Sequence, residues 1–189
     1  MNIFLVGNGP TSDLNDIIDR ADLVVRMNTV PTFGKTTGTK TDILVLVNTG
    51  SPGLELLSLK GVMSNPAFKL AREIRLPVCP ERAAVRRAAH PERSNQMSEW
   101  SHLTKHEVYR DKIITNVHGH IAAKLEAKLN SPVPSTGMTI TEQFVTNFQR
   151  GHKIHLCGFE HKGWDGHPWE AEKALTNSYV DQGLIIRVD

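Results

Sequence analysis

An α/β fold is predicted, a Rossmann-like three-layer α/β/α arrangement around a mostly parallel sheet. Three observations predict it. Short continuous apolar runs recur at 3–6, 23–25 and 43–47; amphipathic stretches lie between such runs; and the first run ends in the dense turn Gly7-Asn8-Gly9-Pro10. Strands that are apolar throughout are buried on both faces, which is what a parallel sheet covered by helices requires. Strand, Gly-rich turn, helix and strand in that order make a βαβ-type opening.

The elements follow in order. Ser12 is placed to cap a short helix with Leu14, Ile17 and Ile18 on one face. Residues 29–41 form a loop rich in Thr, Gly and Pro, and 52–72 reads as broken helix. A fourth strand is expected over 74–78, and Pro77 would confine it to a sheet edge because proline cannot donate to a ladder. The stretch 80–100 carries Arg82, Arg86, Arg87 and Arg93 with several alanines and little bulky apolar content, so an exposed helix plus loop is expected. Residues 117–129 read as helix, and 136–148 as an amphipathic helix with Ile140, Phe144, Val145 and Phe148 on one side. A strand over 153–157, a helix over 168–180 and a strand over 184–188 complete the chain. No internal repeat or linker divides it, so residues 1–189 are expected to form one domain.

Composition narrows the function. With 22 basic and 20 acidic residues the net charge is +2, which offers no electrostatic case for a nucleic-acid partner. No apolar run approaches the ~20 residues of a membrane span, so no integral membrane association is expected. Cys79 and Cys157 form no CxxC or zinc pattern and read as reduced thiols of a cytoplasmic protein.

Four segments can carry chemistry. In the first, Gly7-Asn8-Gly9-Pro10-Thr11-Ser12, the glycines let backbone approach a ligand and the next helix start favours an anion. It is neither GxGxxG nor a P-loop, and a purely structural turn explains it equally well. The second, Arg26-Met27-Asn28, ends strand two. Ligands of open parallel sheets bind beyond the carboxyl ends of strands, so Asn8 and Asn28 are expected side by side, able to orient a phosphate and a sugar hydroxyl. A structural ion pair for Arg26 and a turn role for Asn28 are the competing readings.

The third segment is Pro134-Ser135-Thr136-Gly137-Met138-Thr139. Ser135 or Thr136 can cap the following helix, and Gly137 leaves backbone N–H groups open to a ribose or phosphate; an ordinary cap is the alternative. The fourth is Gly158-Phe159-Glu160-His161 with His167-Pro168-Trp169-Glu170-Ala171-Glu172. Pro168 suits the first helical position, making His167 the N-cap. There the helix dipole would depress its pKa and leave a neutral base; a merely structural cap is the alternative. Glu172 lies about 140° further round the helix, so it shares the face of His167 only where the chain bends. His118/His120 and His152/His155 lack a third ligand, and Asp42, Asp165 and Asp181 form no DxD pair.

Taken in order, these segments resemble the sialyltransferases of glycosyltransferase family 29. The large motif of that family is matched by Leu5-Val6-Gly7-Asn8, Arg26-Met27-Asn28, Pro31-Thr32 and Gly38-Thr39-Lys40-Thr41; the small motif by Pro134 to Met138 and Gly158-Phe159; the His-x4-Glu motif by His167 and Glu172. The resemblance implies a fold of the glycosyltransferase A-variant type and a single sialyltransferase-like nucleotide-sugar-binding domain. It implies transfer of a sugar, sialic acid or Kdo, from a CMP-sugar donor to a hydroxyl of a glycan or other acceptor, with inversion and without metal or other cofactor. Asn8, Gly9 and Asn28 would bind the phosphate and ribose side of the donor, Ser135, Thr136 and Gly137 the nucleotide. His161 would stabilise the leaving phosphate and His167 would take the acceptor proton. Golgi members join the large and small motifs by a disulfide; position 3 here is Ile, in keeping with a reducing compartment. Two other classes fit the same residues: a CMP-binding protein without transferase chemistry, and an unrelated α/β enzyme of a phosphorylated metabolite.

Overall fold

The computed structural model describes residues 1–148 and 151–188. Seven strands form one sheet: β1 (Asn2–Val6), β2 (Leu23–Met27), β3 (Ile43–Val45), β4 (Glu73–Leu76), β5 (Ile113–Asn116), β6 (Lys153–Cys157) and β7 (Ile186–Arg187). Their order is β5-β4-β3-β2-β1-β6-β7, and each neighbouring pair is parallel. The chain winds outward from β1 to β5 and then returns to the other side of β1. The switch point of this doubly wound sheet therefore lies between β1 and β6.

The strands are apolar on both faces because both faces are covered. Ile3, Leu5, Val25, Met27, Ile43 and Val45 point to one side. There they meet α5 (Gly119–Leu129), α6 (Thr136–Asn147) and α7 (Trp169–Asp181) through Leu125, Phe144 and Tyr179. The alternate residues point to the other side. Leu44, Ile74 and Leu76 pack on α2 (Gly50–Leu57) and α3 (Leu59–Ser64) through Leu57 and Val62. Phe4, Val6 and Val24 pack on α1 (Asn15–Asp19) through Ile18. The period of two along each strand thus builds the three predicted layers.

Four expectations need correction. The first is β4, which is interior rather than an edge: β5 pairs with it, and Pro77 falls just beyond the last ladder position. The second is α1, which starts at Asn15 with Leu14 in the cap position and no side-chain cap, and Ile17 is exposed. Third, the basic stretch is only partly surface. It forms α4 (Pro80–Ala89) and a 3₁₀ segment (Pro91–Met97), and buries Ala83, Arg86 and Met97. Finally, α7 starts at Trp169 with Pro168 as its cap, so His167 stands one residue before the cap.

Arg26 is buried, but among the described residues it forms no ion pair of the kind sequence suggests. Its Nε donates to the Lys40 carbonyl and Thr41 Oγ1, its Nη1 to Thr37 Oγ1, and its Nη2 to the carbonyls of Thr37 and Gly38. The guanidinium thus folds the Thr/Gly loop back over β2, which satisfies its donors without a carboxylate. Burial lowers its pKa to about 10, against the opposing effect of Asp19. No disulfide joins Cys79 and Cys157. Among the described residues no helix is long and apolar enough to cross a membrane.

Candidate functional site

A cavity of about 430 Å³ opens beyond the carboxyl ends of β2, β3 and β4, within the size range of small-molecule sites. Asn28, Val47 and Thr49 to Pro52 line it. Asn95 and Gln96 of the 3₁₀ segment line it too, with Val133, Pro134, Thr136, Trp164 and His167. The 3₁₀ segment is clamped in place: Gly50 N–H donates to the Ser98 carbonyl at 2.9 Å and Trp100 N–H to the Asn48 carbonyl at 2.9 Å. The buried Asn48 amide completes the clamp by bonding Val78 and Ser101.

Asn28 sits in the left-handed region at φ 54°, which asparagine tolerates better than most residues. Its N–H donates to the Val45 carbonyl and its Oδ1 accepts from Val47 N–H, so it stitches β2 to the exit of β3. Its Nδ2 has no protein acceptor among the described residues. Asn28 therefore makes the turn read from sequence, and it also lines the cavity.

His167 lines the same cavity. Its Nδ1 lies 2.8 Å from the Val133 carbonyl. A carbonyl oxygen only accepts, so Nδ1 carries the proton and Nε2 is the basic nitrogen. Trp164 and Trp169 meet the ring edge-to-face at 4.9 and 5.0 Å. Burial holds its pKa below the usual histidine value, with the Val133 bond acting in the opposite direction. The direction is the one expected from sequence, but its cause is burial rather than a helix dipole.

Ser135 and Thr136 divide the tasks assigned to them. Ser135 is the cap of α6, its Oγ accepting from Met138 N–H at 3.1 Å. It is also gripped by Glu172, whose carboxylate accepts from Ser135 N–H and Oγ–H, each at 2.6 Å. Thr136 lines the cavity, and its hydroxyl has no protein partner among the described residues. At Gly137, a Cβ would come within 2.7 Å of the Phe159 ring, so close packing suffices to explain the glycine.

Asn8, Gly9 and His161 do not line the cavity. Gly7 N–H and Gly9 N–H donate to the Cys157 and Gly158 carbonyls at 2.9 and 2.8 Å. A Cβ on Gly7 would lie 2.3 Å from the Gly158 carbonyl oxygen. The glycines at the switch point thus let two loops pack backbone to backbone, and the open space is displaced toward β2–β4. Asn8 is exposed above this contact. His161 has φ 50°, and its buried Nε2 has no hydrogen-bond partner among the described residues. Its pKa is lowered by burial and then by Arg187 and Lys173.

Sequence reasoning missed Arg86. It lines the cavity and is 5% exposed. Its Nε and Nη2 donate to Oε1 of Glu126 at 2.8 and 2.6 Å, while Arg82 donates to Oε1 through Nε and to Oε2 through Nη2. Burial lowers the Arg86 pKa, and Glu126 opposes that shift. Among the described residues no group of three or more His, Cys, Asp or Glu side chains is gathered to hold a metal ion.

A sheet of this order with these helices is the fold of sialyltransferases. A mammalian sialyltransferase structure matches with a TM-score of 0.59 at 17% identity, covering 98% of this chain and 68% of that one. The α-2,3-sialyltransferase of Campylobacter jejuni matches with a TM-score of 0.57 at 16% identity, covering 99% and 74%. Identities this low speak for the fold alone. Sequence is more specific: the chain is 31% identical to the urease operon 23 kDa accessory protein of Rhizobium meliloti (strain 1021), over 98% of this chain and 92% of that protein. It belongs to the family of that accessory protein. No family model matches it.

Proposed function

We propose that this protein is a CMP-sugar-dependent glycosyltransferase, moving sialic acid or Kdo to an acceptor hydroxyl with inversion and without a metal cofactor. One observation supports it above the others. A histidine with its tautomer set by a backbone carbonyl shares a cavity with Asn28 and Thr136, although more than a hundred residues separate it from Asn28. The sialyltransferase fold and the motif resemblance point the same way.

In this reading Asn28 and Thr136 contact the nucleotide directly. Gly9, Ser135 and Gly137 stand behind the lining and act through the loops they pack, Ser135 and Gly137 at the start of α6 beside Thr136. Asn8 and His161, outside the cavity lining, reach the donor phosphate only from the rim. His167 Nε2 takes the proton of the acceptor hydroxyl as its oxygen bonds to the anomeric carbon. The bond from that carbon to the phosphate oxygen breaks, and its electron pair leaves with CMP. The transition state carries positive charge on the sugar and growing negative charge on the phosphate, so a positive cavity wall favours it.

A second reading has one observation in its favour: the relative that shows the family is named an accessory protein of a urease operon. In that case the cavity binds CMP but no sugar is transferred. Calorimetric titration with CMP, followed by assays of CMP-sugar hydrolysis and transfer, separates the two. Binding with turnover supports the transferase, and binding without turnover supports the second reading. No heat and no thermal shift at millimolar CMP would overturn both.

A further inference from the structure

We propose that Arg86 is the anion-binding residue of the cavity, holding an oxyanion of the ligand through a guanidinium edge that no group among the described residues uses. The inference deepens the CMP-sugar reading, where that oxyanion is the phosphate or the carboxylate of the sugar.

Two guanidinium groups, Arg82 and Arg86, share the single carboxylate of Glu126, which leaves the cluster with one net positive charge. Arg82 is the more exposed of the pair, with 22% of its side chain accessible against 6% for Arg86. Water therefore screens Arg82, while the surplus field of Arg86 is felt inside the protein. Among the described residues, Arg86 is the one permanently charged residue lining the cavity, and no carboxylate lines it. A buried cation held by half a carboxylate is costly unless a second anion completes its shell.

Donor geometry leads to the same place. A guanidinium offers five N–H groups in a planar fork. Arg86 directs Nε and Nη2 at Glu126, and Nη1 has no acceptor among the described residues. Glu126 fixes the plane of the fork, so the free edge is held in place before any ligand arrives. Such an edge binds phosphate or carboxylate oxygens more strongly than neutral groups. Arg86 is set on α4, whose companion 3₁₀ segment lines the cavity through Asn95 and Gln96. The basic stretch thus supplies both part of the lining and the charge.

The test compares ligands with and without the anion, by titration calorimetry on wild type, R86M and R82M. Both variants remove one guanidinium from Glu126, but only R86M removes it from the cavity. Wild type is expected to bind CMP about 10- to 100-fold more tightly than cytidine. R86M should lose that preference, and R82M should keep it. A parallel comparison of N-acetylneuraminate with its methyl ester shows whether Arg86 holds the carboxylate instead. If Arg86 matters for neither pair, or if R82M loses the preference equally, the proposal is overturned. Should R86M fail to fold, competition decides: inorganic phosphate or pyrophosphate must displace CMP from wild type. Arg86-dependent binding of pyrophosphate without any binding of CMP or cytidine would keep the anion site and end the cytidylate reading. Wild type that binds none of these anions would end the proposal.

Discussion

Glu172 and Ser135, 37 residues apart in sequence, are joined by two hydrogen bonds of 2.6 Å, one from the backbone N–H of Ser135 and one from its hydroxyl. Two residues upstream, the Val133 carbonyl takes the bond from His167 Nδ1. The entry to α7 and the segment before α6 are therefore locked together at both ends. His167 and Glu172 sit on a bend at Pro168, whose ψ of 62° departs from helical geometry. That bend lets two residues five apart grip one short segment, which answers the spacing problem a straight helix would pose.

Removing the grip should be costly. In Glu172→Ala the buried N–H and hydroxyl of Ser135 lose their acceptor, at a cost of about 1–3 kcal/mol each. Glu172→Gln keeps one carbonyl acceptor and removes a charge whose pKa burial has raised, so it should cost less than the alanine variant. Urea unfolding of both variants measures this. Equal stability of Glu172→Ala and wild type would refute the lock.

His167 predicts a pH profile. Its pKa lies below the ordinary value of 6.5, so the neutral base persists as pH falls through 6.5 and is lost only lower. Under the transferase reading, kcat/KM should hold between pH 7.5 and 6.5 and decline below. His167→Ala should cut transfer by about 10²- to 10⁴-fold while CMP affinity changes little. A loss of CMP affinity as large as the loss of turnover would deny it the role of base.

Stability should fall in mild acid for a related reason. His155, His161 and His167 all have lowered pKa values, with burial the first cause in each. The unfolded chain then binds more protons than the folded one below about pH 6.5. Stability from these groups is full above that pH and is lost as pH falls through their folded values. Glu172 has the opposite sign: its raised pKa favours the fold as it protonates, nearer the carboxylate range. Urea midpoints at pH 7.5 and 5.5 should therefore differ, with a smaller difference in His161→Asn. Identical midpoints in wild type would contradict the shifts.

Much of this was legible in the chain. Strands β1, β2 and β3 show as continuous apolar runs because both faces are covered. Ser135 shows as a cap because a hydroxyl before a helical pattern has a local use. β5 does not show: it is a four-residue edge strand, half-exposed, and begins with an exposed Ile113. Without β5, Pro77 appeared to mark the sheet edge. Arg86 does not show either. It stands among arginines and alanines that read as a solvated helix face, and its burial depends on Glu126, 40 residues away. The glycines of the first turn were visible as a signal, but a backbone partner at Gly158 and a ligand call for the same residue type.

Gly7 and Asn8 make that last ambiguity testable. A Cβ at Gly7 would press on the Gly158 carbonyl carbon and oxygen at 2.9 and 2.3 Å. Backbone cannot move aside as a flexible side chain can, so Gly7→Ala should cost about 1–3 kcal/mol, with or without ligand. Asn8 is exposed, and Asn8→Ala should leave the urea midpoint within about 0.5 kcal/mol of wild type. Its effect on CMP affinity then reports the ligand role alone. A tenfold loss (about 1.4 kcal/mol) would show that the donor reaches from the cavity to the switch point. Unchanged affinity would confine the nucleotide to the cavity over β2–β4. Should Gly7→Ala prove as stable as wild type, the packing of the two loops could not be the reason for the glycine, and its place in a ligand cradle would be restored.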